Sequence, residues 1–258
     1  MKTKMTCCAI AALTTLAGAA SASDITVSFE NLLAPDATAF TPVFFGLDDG
    51  SFNLFDPGAT ASLGLEQVAE LGSTGTLTTE FGAASPGGLS ATTGGGPIIG
   101  GGAQSVNFSV GDPTQNRFLS FATMVVPTND LFIGTPNAIE VFDAAGNFNG
   151  PITITIFGSQ VWDAGTEVNN ADNGAAFLQG IDGAAGEIEG GNVSLFFNDP
   201  SAGDYLDSLI GRTTAPGFDI ASTFGEQTAI ATITIVPSPA AAAVLPIAGL
   251  VAARRRRR

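Results

Sequence analysis

Apolar and polar positions alternate with a period of two through most of the interior of the chain. "DITVSFE" places Ile25, Val27 and Phe29 on one face, and "SVNFSV" does the same with Val106, Phe108 and Val110. "ITITIF" sets Ile152, Ile154 and Ile156 against Thr153 and Thr155, while "AIATITIV" aligns Ala231, Ile233 and Ile235. The apolar runs "PVFFG", "RFLSFATMVV", "AIEVF" and "VSLFF" bring the total to roughly eight predicted strands, separated by Gly, Asp, Asn and Pro. Short strands at this spacing predict an all-β fold, an antiparallel sandwich. Two stretches keep a helical spacing instead. In "ATASLGLEQVAELGS", Leu65, Val68 and Leu71 fall at i, i+3 and i+6 with Gly72 placed to end the helix, and "DPSAGDYLDSLIGR" carries Tyr205, Leu206 and Leu209. "TGGGPIIGGG" at 93–102 predicts a flexible loop; it lacks the lysine a phosphate-binding loop needs.

The two ends break this pattern. Residues 1–22 carry Lys2 and Lys4, an apolar run and then Ala20-Ser21-Ala22, the layout of a secretory signal removed on export. Residues 236–258 carry two prolines, an apolar stretch from Ala240 to Ala253 and five terminal arginines. That stretch reaches roughly 21 Å as a helix, short of the roughly 30 Å hydrocarbon core, so it is a marginal anchor with its arginines on the cytoplasmic side. The layout resembles PEP-CTERM sorting tails of Gram-negative bacteria, with Val236-Pro237-Ser238-Pro239 in the motif position and Ser238 where that family has Glu. The resemblance implies processing near the prolines by an exosortase-type membrane enzyme and delivery to the cell envelope, the surface or the medium. A plain anchor that is never cut is the alternative. One domain, 23–235, is expected between the two ends.

Removing both ends leaves a chain with little reactive chemistry. Cys7 and Cys8 lie in the leader, histidine is absent, and no lysine follows Lys4. Arg117 and Arg212 then face 24 Asp and Glu, a balance of about −22. Disulfides, thiolate or imidazole metal sites and Ser-His-Asp catalysis are excluded. Such a surface repels nucleic acid and anionic lipid and attracts divalent cations. A salt-adapted secreted protein has the same acidity, so net charge alone identifies no ligand. Contact with a membrane is expected only through the C-terminal segment.

The candidate chemistry gathers around the only tryptophan. Trp162 precedes Asp163-Ala164-Gly165-Thr166-Glu167, where Gly165 permits a positive φ and the chain can reverse with both carboxylates toward one concavity. Asp130 ends the loop "VPTND" before the run "LFIG". If these strand ends meet, Asp130, Asp163 and Glu167 converge with loop carbonyls, and a cation with six to eight oxygen ligands supplies the missing counter-charge. Trp162 would wall the turn. A solvated acidic turn capped by a packed tryptophan is the other reading of the same residues.

"VVPTNDLFIG" and "VWDAGTEVNNADNG" together resemble the two signature blocks of the spondin N-terminal domain family, and "ITVSFENLLAP", "GLEQVAELG" and "TGGGPIIGGGAQSVNFSV" resemble its bacterial members. The resemblance implies a C2-like β-sandwich of matrix and adhesion proteins with calcium bound near loops at one end. Asp130 and Asp163 match the acids of the two blocks and Glu167 an Asp-or-Glu position; the cysteines of animal members are missing. The function expected is a non-enzymatic, exported binding or matrix protein, partnered by calcium and by exopolysaccharide or other matrix components. Two alternatives stand beside it: a carbohydrate-binding module using Tyr205, and a carboxylate hydrolase using Asp163 and Glu167.

Overall fold

The computed structural model describes residues 24–238; the expected leader, Pro239 and the rest of the expected sorting tail lie outside them. Twelve strands follow one another as β1 (Ile25–Asn31), β2 (Ala39–Phe40), β3 (Phe44–Asp48), β4 (Leu89–Thr92), β5 (Ala103–Phe108), β6 (Phe118–Val126), β7 (Leu131–Gly134), β8 (Ile139–Glu140), β9 (Ile152–Phe157), β10 (Trp162–Asp163), β11 (Ser194–Leu195) and β12 (Ala229–Pro237). Helices α1 (Leu63–Leu71) and α2 (Gly75–Ala84) interrupt the series after β3, and α3 (Ala202–Leu209) precedes β12. One antiparallel sheet has the order β5-β1-β12-β9. The other runs β11-β10-β7-β6-β3-β4, with β2 and β8 also paired to β6. The architecture is the all-β sandwich that the period-two pattern predicts.

Alternation divides the apolar side chains between two cores. In β3, Phe45 and Leu47 point into the space between the sheets, whereas Phe44 points outward against Phe81 of α2. In β7, Leu131 and Ile133 face inward and Phe132 outward. The central core packs Ile25, Val27 and Phe29 of β1 and Ile233 and Ile235 of β12 against Phe121 of β6, with the Phe29 and Phe40 rings edge to face at 5.1 Å. The outer core, with Leu65, Val68, Leu77 and Phe81, is roofed by α1 and α2. Covering on both faces explains why β6, apolar except for Ser120 and Thr123, is buried from Leu119 to Val126.

α1 forms where its spacing places it. Ser62 caps its first turn, accepting from Leu65 N–H, and Gly72 ends it in the left-handed region at φ 64°. α2 has no comparable stripe in the sequence, and only Leu77 and Phe81 are buried along it. The glycine-rich loop is the main departure from expectation. Its second half is pinned rather than flexible: the buried Asn31 side chain donates to Ile98 O at 2.9 Å and accepts from Leu33 N–H at 2.9 Å, and the backbones of Phe40 and Ile98 exchange hydrogen bonds. Asn31→Ala leaves the buried Leu33 N–H without its acceptor and Ile98 O with only the Phe40 N–H, so it is expected to lower stability by about 1–3 kcal/mol. Urea unfolding measures the loss, and faster amide exchange at Ile98 and Gly101 locates it.

The C-terminal strand runs further than its alternation suggests. Val236 and Pro237 belong to β12, opposite Thr26 and Ile25, and Ser238 N–H donates to Asp24 O at 2.9 Å. Among the described residues no helix is long and apolar enough to cross a membrane.

Candidate functional site

Asp130 and Asp163 sit where the neighbouring strands β7 and β10 of the larger sheet meet at one end. Asp130 closes the loop before β7, Asp163 lies in β10 opposite Leu131, and Ala164 N–H donates to Asp130 O at 3.3 Å. The turn after β10 folds onto Asp130. Its Oδ2 accepts from Thr166 N–H at 2.8 Å, Thr166 Oγ1 at 3.1 Å and Glu167 N–H at 3.0 Å. Gly165 makes the reversal possible at φ 68°, and its N–H donates to Asp163 Oδ1 at 2.7 Å. Asp163 Oδ2 accepts from Asn169 Nδ2 at 2.6 Å.

Two oxygens in this cluster have no hydrogen-bond donor although they are buried: Asp130 Oδ1 and Asn169 Oδ1. Asp130 is fully buried, and removal from water, reinforced by the charge of Asp163, pushes its carboxyl up to about 8. Asp163 is raised by burial first and then by Asp199, with Gly165 N–H and Asn169 opposing. Burial raises both carboxyls, and the charge of Asp163 further opposes ionisation of Asp130. Among the described residues no side-chain cation relieves the repulsion: Arg117 is paired with Glu140 and Arg212 with Asp172.

Glu167 contributes its backbone to this pair, while its carboxylate lies elsewhere. That carboxylate is packed against Gly186, where an added Cβ would meet the Glu167 Cδ at 2.1 Å, and it makes a long 3.5 Å contact with Asn129 Nδ2. Burial, and then Glu70, push it up to about 7. Among the described residues no group of three or more His, Cys, Asp or Glu side chains is gathered as a metal site. A cation held by the two aspartates would therefore need other oxygens as well. The Asn169 carboxamide is one candidate, since its Nδ2 already donates to Asp163 and a half-turn would exchange Nδ2 and Oδ1.

A hydrogen-bonded frame behind the pair was not visible in the periodicity. Asn129 Oδ1 accepts from Asn170 N–H at 2.9 Å and from Tyr205 OH at 2.8 Å, Asn129 Nδ2 donates to Asn173 O at 2.8 Å, and Asn129 N–H donates to Tyr205 OH at 3.0 Å. The clue in the sequence is the run of small amides in "VNNADNG", whose side chains bond local backbone. Tyr205 is buried on α3, so it offers no exposed ring to a glycan. Burial and the nearby carboxylates raise its phenol well above the ordinary value, which keeps it protonated as a donor. Tyr205→Phe leaves Asn129 short of two buried partners and is expected to cost about 1–3 kcal/mol, measurable by chemical denaturation. Trp162 packs edge to face with Phe55 at 5.1 Å in the outer core, next to Asp163 rather than over it.

Fold and site together define a helix-backed antiparallel β-sandwich with a paired-aspartate loop cluster. The spondin N-terminal model, Spondin_N, matches residues 32–179, more than half of the chain, and the chain belongs to that family. The matched region contains Asp130, Asp163 and Glu167 and ends before α3. No curated protein matches the chain. Spondin domains are typically secreted or extracellular, point to an adhesion-type protein, and are not a known enzyme family.

Proposed function

We propose that this is an exported, non-enzymatic binding protein of a bacterial cell surface or its surrounding matrix, in which calcium held by Asp130 and Asp163 fixes the loop end of the sandwich. The observation that carries this reading is the buried, donor-less Asp130 Oδ1 beside a second carboxylate, in a chain whose two described arginines are engaged elsewhere. Burying a charge without a partner costs several kcal/mol, and an external cation removes that cost. The donors available there are hard oxygens, two carboxylates and the Asn169 carboxamide, a set suited to calcium with its flexible shell, which water can complete. Bound there, calcium supplies charge neutralisation and ties the β10 turn to the loop before β7. Glu167 takes part through its N–H to Asp130, which fixes the carboxylate's orientation.

Calorimetric titration of metal-free protein with calcium at pH 8 tests this. One tight site is expected, abolished in Asp163→Asn. Absence of heat in the wild type, or unchanged binding in the variant, overturns the assignment.

The Val236-Pro237-Ser238-Pro239 segment supports the second half of the proposal, delivery by an exosortase-type enzyme. Because β12 extends to Pro237 and Ser238 is still hydrogen-bonded, a cut beyond Ser238 releases the sandwich intact. The intact mass of protein recovered from the cell surface should then lack all five terminal arginines. Retention of those residues would leave the segment as a permanent anchor. Exopolysaccharide or another matrix component is the partner class proposed for the exposed surface.

A further inference from the structure

The four-stranded sheet ends at β9, whose second edge pairs with nothing among the described residues. Gly158 N–H donates to Thr228 O, toward β12, so by alternation the N–H groups of Phe157, Thr155 and Thr153 point away from the sheet. Gln160 Oε1 accepts from Phe157 N–H at 3.0 Å and closes that end, leaving Thr153 and Thr155 as open donors. The usual guards of an exposed edge are missing. β9 carries no charge and no internal proline, and the one irregularity in its pairing lies on β12 between Ala229 and Ala231.

Three observations indicate what pairs there. No charged residue occurs between Asp143 and Asp163, in a segment flanked by an otherwise strongly acidic chain. Two copies of such a chain repel each other unless they meet at an uncharged edge, and this edge is one. The strand also reads Ile-Thr-Ile-Thr-Ile in both directions from Ile152 to Ile156, so a two-fold axis through Ile154 sets Ile152 opposite Ile156 and Thr153 opposite Thr155. Finally, a cleft of about 350 Å³ lies beside β9 between the two sheets, lined by Ile154, Ile156, Phe121, Trp162 and Leu195. It gives a neighbouring strand's inward side chains an apolar surface to cover.

We propose that β9 is a self-association edge, at which two copies of this chain pair antiparallel about Ile154 and join their four-stranded sheets into one continuous sheet. Thr153 and Thr155 of each copy then exchange backbone hydrogen bonds across the axis, and Ile154 faces its equivalent as a non-hydrogen-bonded pair with Cα atoms about 4.5 Å apart. Half-buried Ile152 and Ile154 and the exposed Phe157 are covered. Salt strengthens the association by screening the acids outside the contact.

Sedimentation velocity of the full chain in non-ionic detergent tests the proposal, the detergent keeping the apolar C-terminal segment from associating copies by itself. A discrete species of twice the protein mass is expected at micromolar concentration, and Thr155→Pro, which removes an outward N–H and no sheet bond, is expected to be monomeric with an unchanged circular dichroism spectrum. If that variant does not fold, Ile154→Cys in a Cys7→Ser/Cys8→Ser background decides, because the axis brings the two sulfurs within disulfide reach and mild oxidation should give a covalent dimer. A monomeric wild type, a Thr155→Pro dimer, or no cross-link through residue 154 overturns the proposal, and the first of these leaves the edge to a strand from a different protein.

Discussion

In excess EDTA the melting temperature of the protein is expected to fall as pH rises from about 5 to about 8, and in millimolar calcium the same change in pH is expected to lower it by much less. The sign follows from the buried carboxyls. Asp130 is raised from 3.8 to about 8 and Glu167 from 4.5 to about 7, so the metal-free fold holds protons that the unfolded chain has already lost. Stability from that protonation is complete below the unfolded values and is lost as pH climbs through the folded ones. Calcium requires the same Asp130 oxygens without the proton, so its affinity rises over the window in which the metal-free fold weakens. At a calcium concentration about 100 times Kd the ion adds about 2.7 kcal/mol, or about 5–10 °C for a domain of this size. Differential scanning fluorimetry over a pH series, with and without calcium, reads both slopes. Parallel slopes in the two buffers would contradict the assignment.

Substituting Asp130 separates its charge from its role as an acceptor. Asp130→Asn keeps an oxygen for Thr166 N–H and Glu167 N–H while deleting the charge that Asp163 opposes. The variant is expected to lose most of the metal-free decline between pH 5 and 8, and to lose the calcium-induced stabilisation completely. Asp130→Ala deletes the acceptor as well, leaving the buried Glu167 N–H and its neighbour unpaired. It is expected to lose about 3 kcal/mol or more at every pH, because the deleted bonds are charge-assisted. Denaturant unfolding of the two variants at pH 5 and pH 8 distinguishes them. A calcium response that survives in Asp130→Asn would show that the ion binds elsewhere.

How far these features can be seen in the sequence depends on whether each is local. β1, β9 and β12 each bury one face, so the alternation of Ile25–Phe29, Ile152–Ile156 and Ala231–Ile235 carries straight into structure. β6 is buried on both faces and shows no alternation, and the roof of α1 and α2 that buries it leaves no mark within the strand itself. α1 announces itself through Leu65, Val68 and the Gly72 stop, whereas α2 owes its place to the packing of Leu77 and Phe81. In the site, Gly165 and the two aspartates follow from turn chemistry and the family blocks. The separation of the Glu167 carboxylate does not, because it is set by the approach of Gly186, nineteen residues further along. Asn31 and Tyr205 act on backbone 67 and 76 residues away, a relation that no local pattern encodes.

The claim at the centre of this account is that Asp130 and Asp163 share one divalent ion beside the only tryptophan, and terbium luminescence addresses it directly. Terbium takes calcium sites and emits when a nearby indole is excited, so Trp162, adjacent to Asp163 in β10, serves as a built-in antenna. Titration of metal-free protein should give sensitised emission that saturates at one ion per chain, is displaced by calcium, and disappears in both Asp130→Asn and Asp163→Asn. Emission that never saturates, or that persists at wild-type strength in either variant, would place the ion on the general acidic surface and contradict the shared site.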